Sequence, residues 1–388
     1  MHVLMISDVY FSRVNGVSTS IRSFRRELQA QGHRVTLIVP HYPHSEAYDQ
    51  TYPDADLIRI PSRFIPRDPE DRFMIKGKIL QLLPRLRALN VDVLHIQTPF
   101  VAHYVGLTLA KALNLPVVES YHTFFEEYLY HYVPLLPRQL MRWVARRFTV
   151  SQCNAVQQVI APSRAMHDAL RAYGVAAPIT ILPTGLEASQ FKQGDGARFR
   201  HEHGIDTDRP VALYIGRVAH EKNIDFLLRA FQQTLKQLPH ALLLIVGEGP
   251  AVPHLRQLAE QLNINEATRF IGYLDRDTTL LDCYSAGDVF VFASRTETQG
   301  LVLLEAMAQG TPVLSTAHMG TRDILEPAKG AVIVEEALPI FAHQLVKLLS
   351  DKEQRATLSA GARRDAASWS TAEMTGRLVS LYSKLKAQ

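Results

Sequence analysis

Short apolar runs alternate with amphipathic stretches twice along this 388-residue chain. In the first half the runs fall at 2–6, 35–39, 93–96, 116–119, 159–161 and 179–182 and predict strands. In the second half they fall at 211–215, 241–246, 268–271, 288–293, 312–315 and 331–334. Between them apolar residues recur at helical spacing, as over 18–31, where the pattern stops at Gly32. Apolar strands separated by helices predict parallel sheets covered on both faces. Two such series predict an α/β chain of two doubly wound, Rossmann-like domains. The turn-rich stretch PTGLEASQFKQGDG at 183–196 marks the boundary. The domains are then 1–185 and 186–368, with a last helix in 369–388 that is placed to cross back to the first domain.

Composition narrows the class. Hydrophobic residues make up 47% and charged residues 21%, enough to bury a core in each half. Cys153 and Cys283 are the only cysteines and lie far apart, which argues against a disulfide framework or a zinc pattern and fits a reducing cytoplasm. The start, MHVLMISDVY, has no basic leader and is not expected to be a secretory signal. The charge-free stretch 93–110 contains His95, Gln97, Pro99 and His103, so it reads as strand, loop and helix rather than a membrane span. The net charge of +4 is uneven: residues 1–185 hold 20 Lys and Arg against 14 Asp and Glu, the remainder 22 against 24. A basic first half predicts a negatively charged partner, for which phosphate ligands, anionic lipid and nucleic acid are the classes to weigh.

Three motifs carry candidate chemistry. In SRTETQGLVLLEAMAQGTPV, 294–313, Glu297 and Glu305 lie eight apart, and Gly300 marks a loop-to-helix junction before 301–308. Backbone N–H groups at that junction would suit a phosphate, and a carboxylate two turns into the helix would suit ribose hydroxyls. An amphipathic helix with two solvated glutamates is the alternative. In YIGRVAHEKNIDFLL, 214–228, a strand ends at Ile215, Gly216 opens a turn, and Arg217 and Lys222 follow. Two cations beyond a strand's carboxyl end are placed for a diphosphate, since open sheets bind ligands there. In DVYFSRVNGVSTS, 8–20, Asn15–Gly16 predicts a tight turn with close backbone approach to a ligand, and the helix amides after it, from Val17, face the same way. This is not a G-x-G-x-x-G fingerprint, which weakens a dehydrogenase reading.

Together these elements resemble the family-4 retaining glycosyltransferases of the GT-B fold, over nearly the whole chain. The resemblance implies two Rossmann-like domains with the active site in the cleft between them, a first domain for the acceptor and a second for the nucleotide sugar. It implies that Arg217 and Lys222 neutralise the departing diphosphate and that Glu305 binds the ribose. Glu297 would sit near the donor sugar with Gln299–Leu301, and Gly16, Val17 and Gly216 would approach the donor. His122, in ESYHTFFEEY, matches the family's active-site histidine. No cofactor is implied beyond the donor substrate, a UDP-sugar, and no metal; Asp206-Thr-Asp208 and Asp275-Arg-Asp277 lack the context of a metal-binding Asp-x-Asp.

The phrases NGVSTSIRSF, ESYHTFFEEY and TETQGLVLLEAMA resemble bacterial diacylglycerol glucosyltransferases. That implies UDP-glucose as donor, a lipid acceptor, and a cytoplasmic protein on the inner face of the membrane. Glu126 and Glu127 are then candidate acceptor residues. In 137–148, Arg138, Arg142 and Arg146 share one helical face, and Leu140, Trp143, Val144 and Phe148 the other, the pattern of a helix lying among headgroups. The basic, aromatic stretch 59–87 is a second candidate, with a helix docked on the core as the alternative. No nucleic-acid module is recognisable. A soluble or polyprenyl-linked saccharide acceptor, or a non-catalytic sugar-nucleotide binder, are the competing readings.

Overall fold

The computed structural model describes residues 1–388 apart from 12–14, 44, 66–67, 123–137, 276–277 and 388. The chain forms two compact units, Met1–Gly185 with Thr371–Gln388, and Leu186–Ser370.

The strands are β1 (His2–Ile6), β2 (Arg34–Pro40), β3 (Leu57–Ile60), β4 (Ser62–Ile65), β5 (Asp68–Met74), β6 (Val93–Ile96), β7 (Val117–Ser120), β8 (Gln158–Ala161) and β9 (Ile179–Ile181) in the first unit. Seven of them form one parallel sheet in the order β3-β2-β1-β6-β7-β8-β9. Every residue of β1 is buried, because helices cover both faces; this is why the run shows no alternation. The second unit holds β10 (Val211–Ile215), β11 (Leu242–Val246), β12 (Thr268–Gly272), β13 (Val289–Phe292), β14 (Val313–Ser315) and β15 (Ala331–Ile333). They form a parallel sheet in the order β12-β11-β10-β13-β14-β15. In each sheet the strand order reverses once, at β1/β6 and at β10/β13. Loops leaving adjacent strands there diverge and open a crevice at the carboxyl ends, where ligands bind in open α/β sheets.

The apolar pattern missed β3. In LIRI only Ile58 and Ile60 are buried, and Arg59 between them pairs with Asp49, so an edge strand alternates where a central one does not. The stretch 59–87 is not one docked helix. It runs through the end of β3 into the antiparallel pair β4–β5, with Phe64 opposite Arg72 and Arg63 opposite Phe73, and on to short helices Lys76–Leu80 and Leu83–Ala88. Asn15–Gly16 is not a tight turn either. Asn15 caps helix Gly16–Ala30, accepting from Ser18 N at 2.8 Å, while its own N–H donates to Ser18 Oγ at 2.9 Å. A Cβ built on Gly16 would meet nothing within 4 Å. Its missing side chain therefore leaves open space at the helix start rather than permitting a special backbone angle.

Helix Thr371–Lys386 belongs to the first unit. Met374, Leu378, Tyr382 and Leu385 are buried there with Ile21, Phe24 and Leu28 of helix Gly16–Ala30. The Tyr382 hydroxyl is 2.6 Å from His95 Nδ1 on β6, and the other ring nitrogen of His95 is 2.8 Å from Ser120 Oγ on β7.

Candidate active site

In the second unit the site is built from the loops after β10 and β13. Gly216 follows β10, and Gly247 follows β11 with φ +123; a Cβ on Gly247 would lie 2.1 Å from Gly216 O. The two loops can lie this close only because Gly247 has no side chain. The Tyr214 hydroxyl donates to Arg217 O at 3.1 Å and so fixes the turn, leaving the Arg217 side chain 47% exposed beside Glu221 at 3.6 Å. Lys222 ends a 3-10 turn, His220–Lys222, and its Nζ lies 2.7 Å from Glu297 Oε2. The structure thus brings together a cation and a carboxylate from two separate motifs. Next to Lys222, Asn223 adopts φ +56 and its amide donates to Ala293 O and to Glu336, each at 3.2 Å. Glu336 also accepts from Arg295 and lies 3.0 Å from His318, and the Arg295 guanidinium holds its carboxyl below the usual range. This network ties the Lys222 turn to the ends of β13, β14 and β15. Glu336 and His318 stand in no motif, and Asn223, though inside 214–228, is not singled out there, because its partners are far away in the chain.

Helix Leu301–Ala308 starts at Gly300, whose φ of +98 a side-chain-bearing residue rarely adopts. With no side chain at Gly300, no cap covers the first amides, and the helix start offers N–H groups to an anion. Gln299 is buried, and Gly320 N donates to Glu297 O at 3.0 Å, which holds the loop before the helix. Glu305 is only 2% exposed; its oxygens accept from Gln190 Nε2 at 2.9 Å and the Tyr284 hydroxyl at 2.7 Å. The reading of two solvated glutamates fails for Glu305, which is a buried, hydrogen-bonded carboxylate.

In the first unit the carboxyl ends of β1, β6 and β7 carry Asp8, Gln97, Thr98 and His122. Asp8 is 3% exposed and accepts from Thr98 Oγ1 at 2.8 Å and from Ala102 N, at the start of helix Val101–Leu113. Burial pushes its carboxyl up to about 7 against these bonds, which pull it down. His122 Nε2 is 3.2 Å from Gln97 Oε1, and burial pulls the imidazole down to about 4. It is neutral at pH 7, and a carbonyl oxygen opposite Nε2 places the proton on that nitrogen. Gly16 and Val17 open helix Gly16–Ala30, exposed and half-buried. Glu126 and Glu127 lie outside the described residues.

Helix Arg138–Cys153 docks through Met141, Ala145, Thr149, Gln152 and Cys153. Leu140, Trp143 and Val144 are exposed, Trp143 by 60%, among exposed Arg142, Arg146 and Arg147. The helix therefore has three faces, one docked and two in water, where the sequence pattern suggested two. Phe148, assigned to the apolar face, is half-buried. On β4 and β5, Phe64 and Phe73 are also exposed, with the Arg72 guanidinium over the Phe64 ring. No helix among the described residues is long and apolar enough to cross a membrane.

Two parallel α/β units, one presenting cations and an uncapped helix start where its strand order reverses, are the layout of a GT-B glycosyltransferase. Residues 14–190 match Glycosyltransferase Family 4, and residues 195–365 match Glycosyl transferases group 1. The chain belongs to this glycosyltransferase family, GT4. It is 33% identical to an alpha-monoglucosyldiacylglycerol synthase of Streptococcus pneumoniae over 81% of this chain and 71% of the relative. It is 28% identical to the Acholeplasma laidlawii enzyme of the same name, over 93% and 92%. Among solved structures, Anabaena HepE in complex with UDP and glucose superposes with a TM-score of 0.79 over 99% of this chain and all of that one, at 17% identity.

Proposed function

We propose that the protein is a retaining glycosyltransferase that moves glucose from UDP-glucose to diacylglycerol at the inner face of the membrane, without a metal ion. The observation that carries the lipid acceptor is the likeness to two alpha-monoglucosyldiacylglycerol synthases. The exposed Leu140, Trp143 and Val144 among arginines support a protein that works on a membrane surface.

In this reading the second domain holds the donor. Arg217 and Lys222 face the diphosphate, amides of Gln299, Gly300 and Leu301 add to them, and Gly216 lets the backbone approach. Lys222 exchanges Glu297 for phosphate oxygens as the donor enters, which releases Glu297 toward the sugar. The ribose shares Glu305 with Gln190 and Tyr284. Gly16 and Val17 of the first domain approach the donor, and neutral His122, held by Gln97, stands near the sugar. As the bond from C1 to the diphosphate oxygen breaks, negative charge gathers on the leaving group, and fixed cations and amides stabilise it as it develops. The acceptor oxygen bonds C1 from the same face, its proton passes to the leaving diphosphate, and configuration is retained. No enzyme nucleophile is needed. A glycosidase would instead need two carboxylates flanking the bond.

The test is transfer from UDP-glucose to diacylglycerol in mixed vesicles, with GDP-mannose as competing donor and soluble disaccharides as competing acceptors, in EDTA. An α-linked glucolipid as the main product is expected. Preference for a soluble acceptor would move the assignment to a saccharide-extending transferase. Binding of the donor with no transfer to any acceptor would make the protein a sugar-nucleotide binder.

A further inference from the structure

In the second unit, loops leave the carboxyl ends of β10, β13, β14 and β15, and one carboxylate on the last of them meets a group from each of the other three. Glu336, after β15, accepts from Asn223 Nδ2 at 3.2 Å, in the loop after β10. It accepts from Arg295, after β13, through Nε at 2.9 Å and through a terminal nitrogen. Its Oε2 also stands 3.0 Å from His318 Nε2, after β14. The strands run in the order β10-β13-β14-β15. At ordinary strand spacing β15 is about 14 Å from β10, so the two loops lean across β13 and β14 to meet.

Each partner of Glu336 is a chain neighbour of the candidate site. Asn223 directly follows Lys222, and Arg295 lies just before Glu297. His318 lies just before Gly320, whose N–H donates to Glu297 O at 3.0 Å. Lys222 Nζ in turn lies 2.7 Å from Glu297 Oε2. Glu336 therefore holds both members of that pair through bonds outside it. The backbone along the tether is in a left-handed conformation at Asn223, φ +56, at Ala317, φ +47, and at Met319, φ +49. Residues other than glycine stay there only where their surroundings fix them. Arg295 is 62% exposed, and an ion pair with so exposed a partner adds little stability. Its consequence is geometric.

We propose that Glu336 is a positioning residue for the diphosphate subsite: through Asn223 and Arg295 it fixes where Lys222 and Glu297 stand, so that a nucleoside diphosphate meets the ammonium group already in place. Charge placed in advance costs no reorganisation when the anion arrives. Glu336 acts through its partners and not on the donor, since a carboxylate facing a phosphate would repel it, and Arg295 matches its charge. The inference rests on the reading that Lys222 holds the donor's diphosphate, and it adds what sets Lys222 there.

Calorimetric titration of the full chain with UDP and with UMP isolates the second phosphate, and GDP with GMP does the same for a guanine donor. Glu336→Ala should weaken the diphosphate at least roughly tenfold, as for one lost hydrogen bond to a charged partner, and the monophosphate less than about twofold. Asn223→Gly keeps the backbone angle and removes the tether. It should show the same selective loss, and it answers the question if Glu336→Ala does not fold. Glu336→Gln, which retains a carbonyl acceptor for Asn223, should recover part of the affinity. In a Lys222→Ala chain, Glu336→Ala should add less than about twofold, because residues that act through one another are not additive. If Lys222→Ala binds the diphosphate as wild type does, the donor reading fails and the positioning role with it. A selective loss in Lys222→Ala that neither Glu336→Ala nor Asn223→Gly reproduces, or equal losses for diphosphate and monophosphate, overturns the proposal alone.

Discussion

Where the strand order reverses in the second unit, charged groups stand close to water: Lys222 against Glu297, Arg217 half-exposed beside Glu221. At the matching place in the first unit the ionisable groups are withdrawn and shifted toward their neutral forms. Asp8 is pushed up to about 7, and His122 and, beneath it, His95 are pulled down to about 4 and about 3, each mainly by burial. The topology is the same, so it does not dictate the electrostatics; depth does. A cation left near solvent keeps its charge for an incoming anion. A group sunk among strand ends becomes a neutral hydrogen-bond donor or acceptor, suited to hydroxyls and sugars rather than phosphates.

The contrast breaks most sharply if the second unit loses a cation. Lys222→Ala or Arg217→Ala should lower turnover about 10²–10³-fold with melting temperature unchanged, since each withdraws charge stabilisation from the departing diphosphate. Near-normal turnover in either folded variant would reject the diphosphate role. Next come two arginines of the first unit that do stay in water. Arg142→Ser with Arg146→Ser should weaken partition onto anionic vesicles roughly 30-fold, at about 1 kcal/mol per basic residue. Raised salt should shrink that difference, and equal pelleting of variant and wild type would remove the helix from the membrane reading.

The two glutamates should separate in kinetics. Glu305→Gln should weaken donor affinity about tenfold through one lost charge-assisted bond, and Glu297→Gln should act mainly on turnover. Glutamine is the better probe at 305, because alanine would also strand Gln190 and the buried Tyr284 hydroxyl. Equal effects confined to affinity would merge the two roles. The smallest effect is on stability. Asp8 is raised in the fold, so between pH 4 and about 7 the folded chain keeps a proton that the unfolded chain has lost, and stability falls as pH rises. His122 is lowered, so between about 4 and 6.5 it is the unfolded chain that holds the extra proton, and stability rises with pH. Asp8→Asn should remove the falling component and steepen the rise in unfolding free energy from pH 4.5 to 6.5, by about 2 kcal/mol over that range, read from denaturant melts at each pH. An unchanged profile would show that Asp8 is not buried as a neutral acid.

Much of this was legible in sequence because both central sheets are buried on two faces, and unbroken apolar runs announce such strands. Helix 301–308 and the eight-residue spacing of Glu297 and Glu305 were readable for the same local reason. Three kinds of feature were not. Edge strand β3 hides because Arg59 interrupts its run, and the β4–β5 pair hides among basic and aromatic residues that match no helical or alternating pattern. Asn15–Gly16 looks like a turn by composition, but a cap and a turn use the same residues, and only the following Ser18 distinguishes them. The Glu336–Asn223 tether joins residues 113 apart in sequence, and long-range hydrogen bonds leave no periodicity to read.

Helix Thr371–Lys386 makes the first unit discontinuous in the chain, and that sets an order of assembly. Residues 371–386 leave the ribosome only after the whole second unit, which at about 5–20 residues per second takes roughly 10–40 s. During that interval Ile21, Phe24 and Leu28 lack the side chains that cover them. Burying Met374, Leu378, Tyr382 and Leu385 contributes roughly 6–12 kcal/mol at about 1.5–3 kcal/mol each, an upper estimate. That is comparable with the entire stability of a domain. The half that begins translation is therefore the half that finishes folding last. Until it does, its sheet stands with one helix missing, and a nascent chain interrupted before residue 371 carries a folded second unit and an unfinished first one.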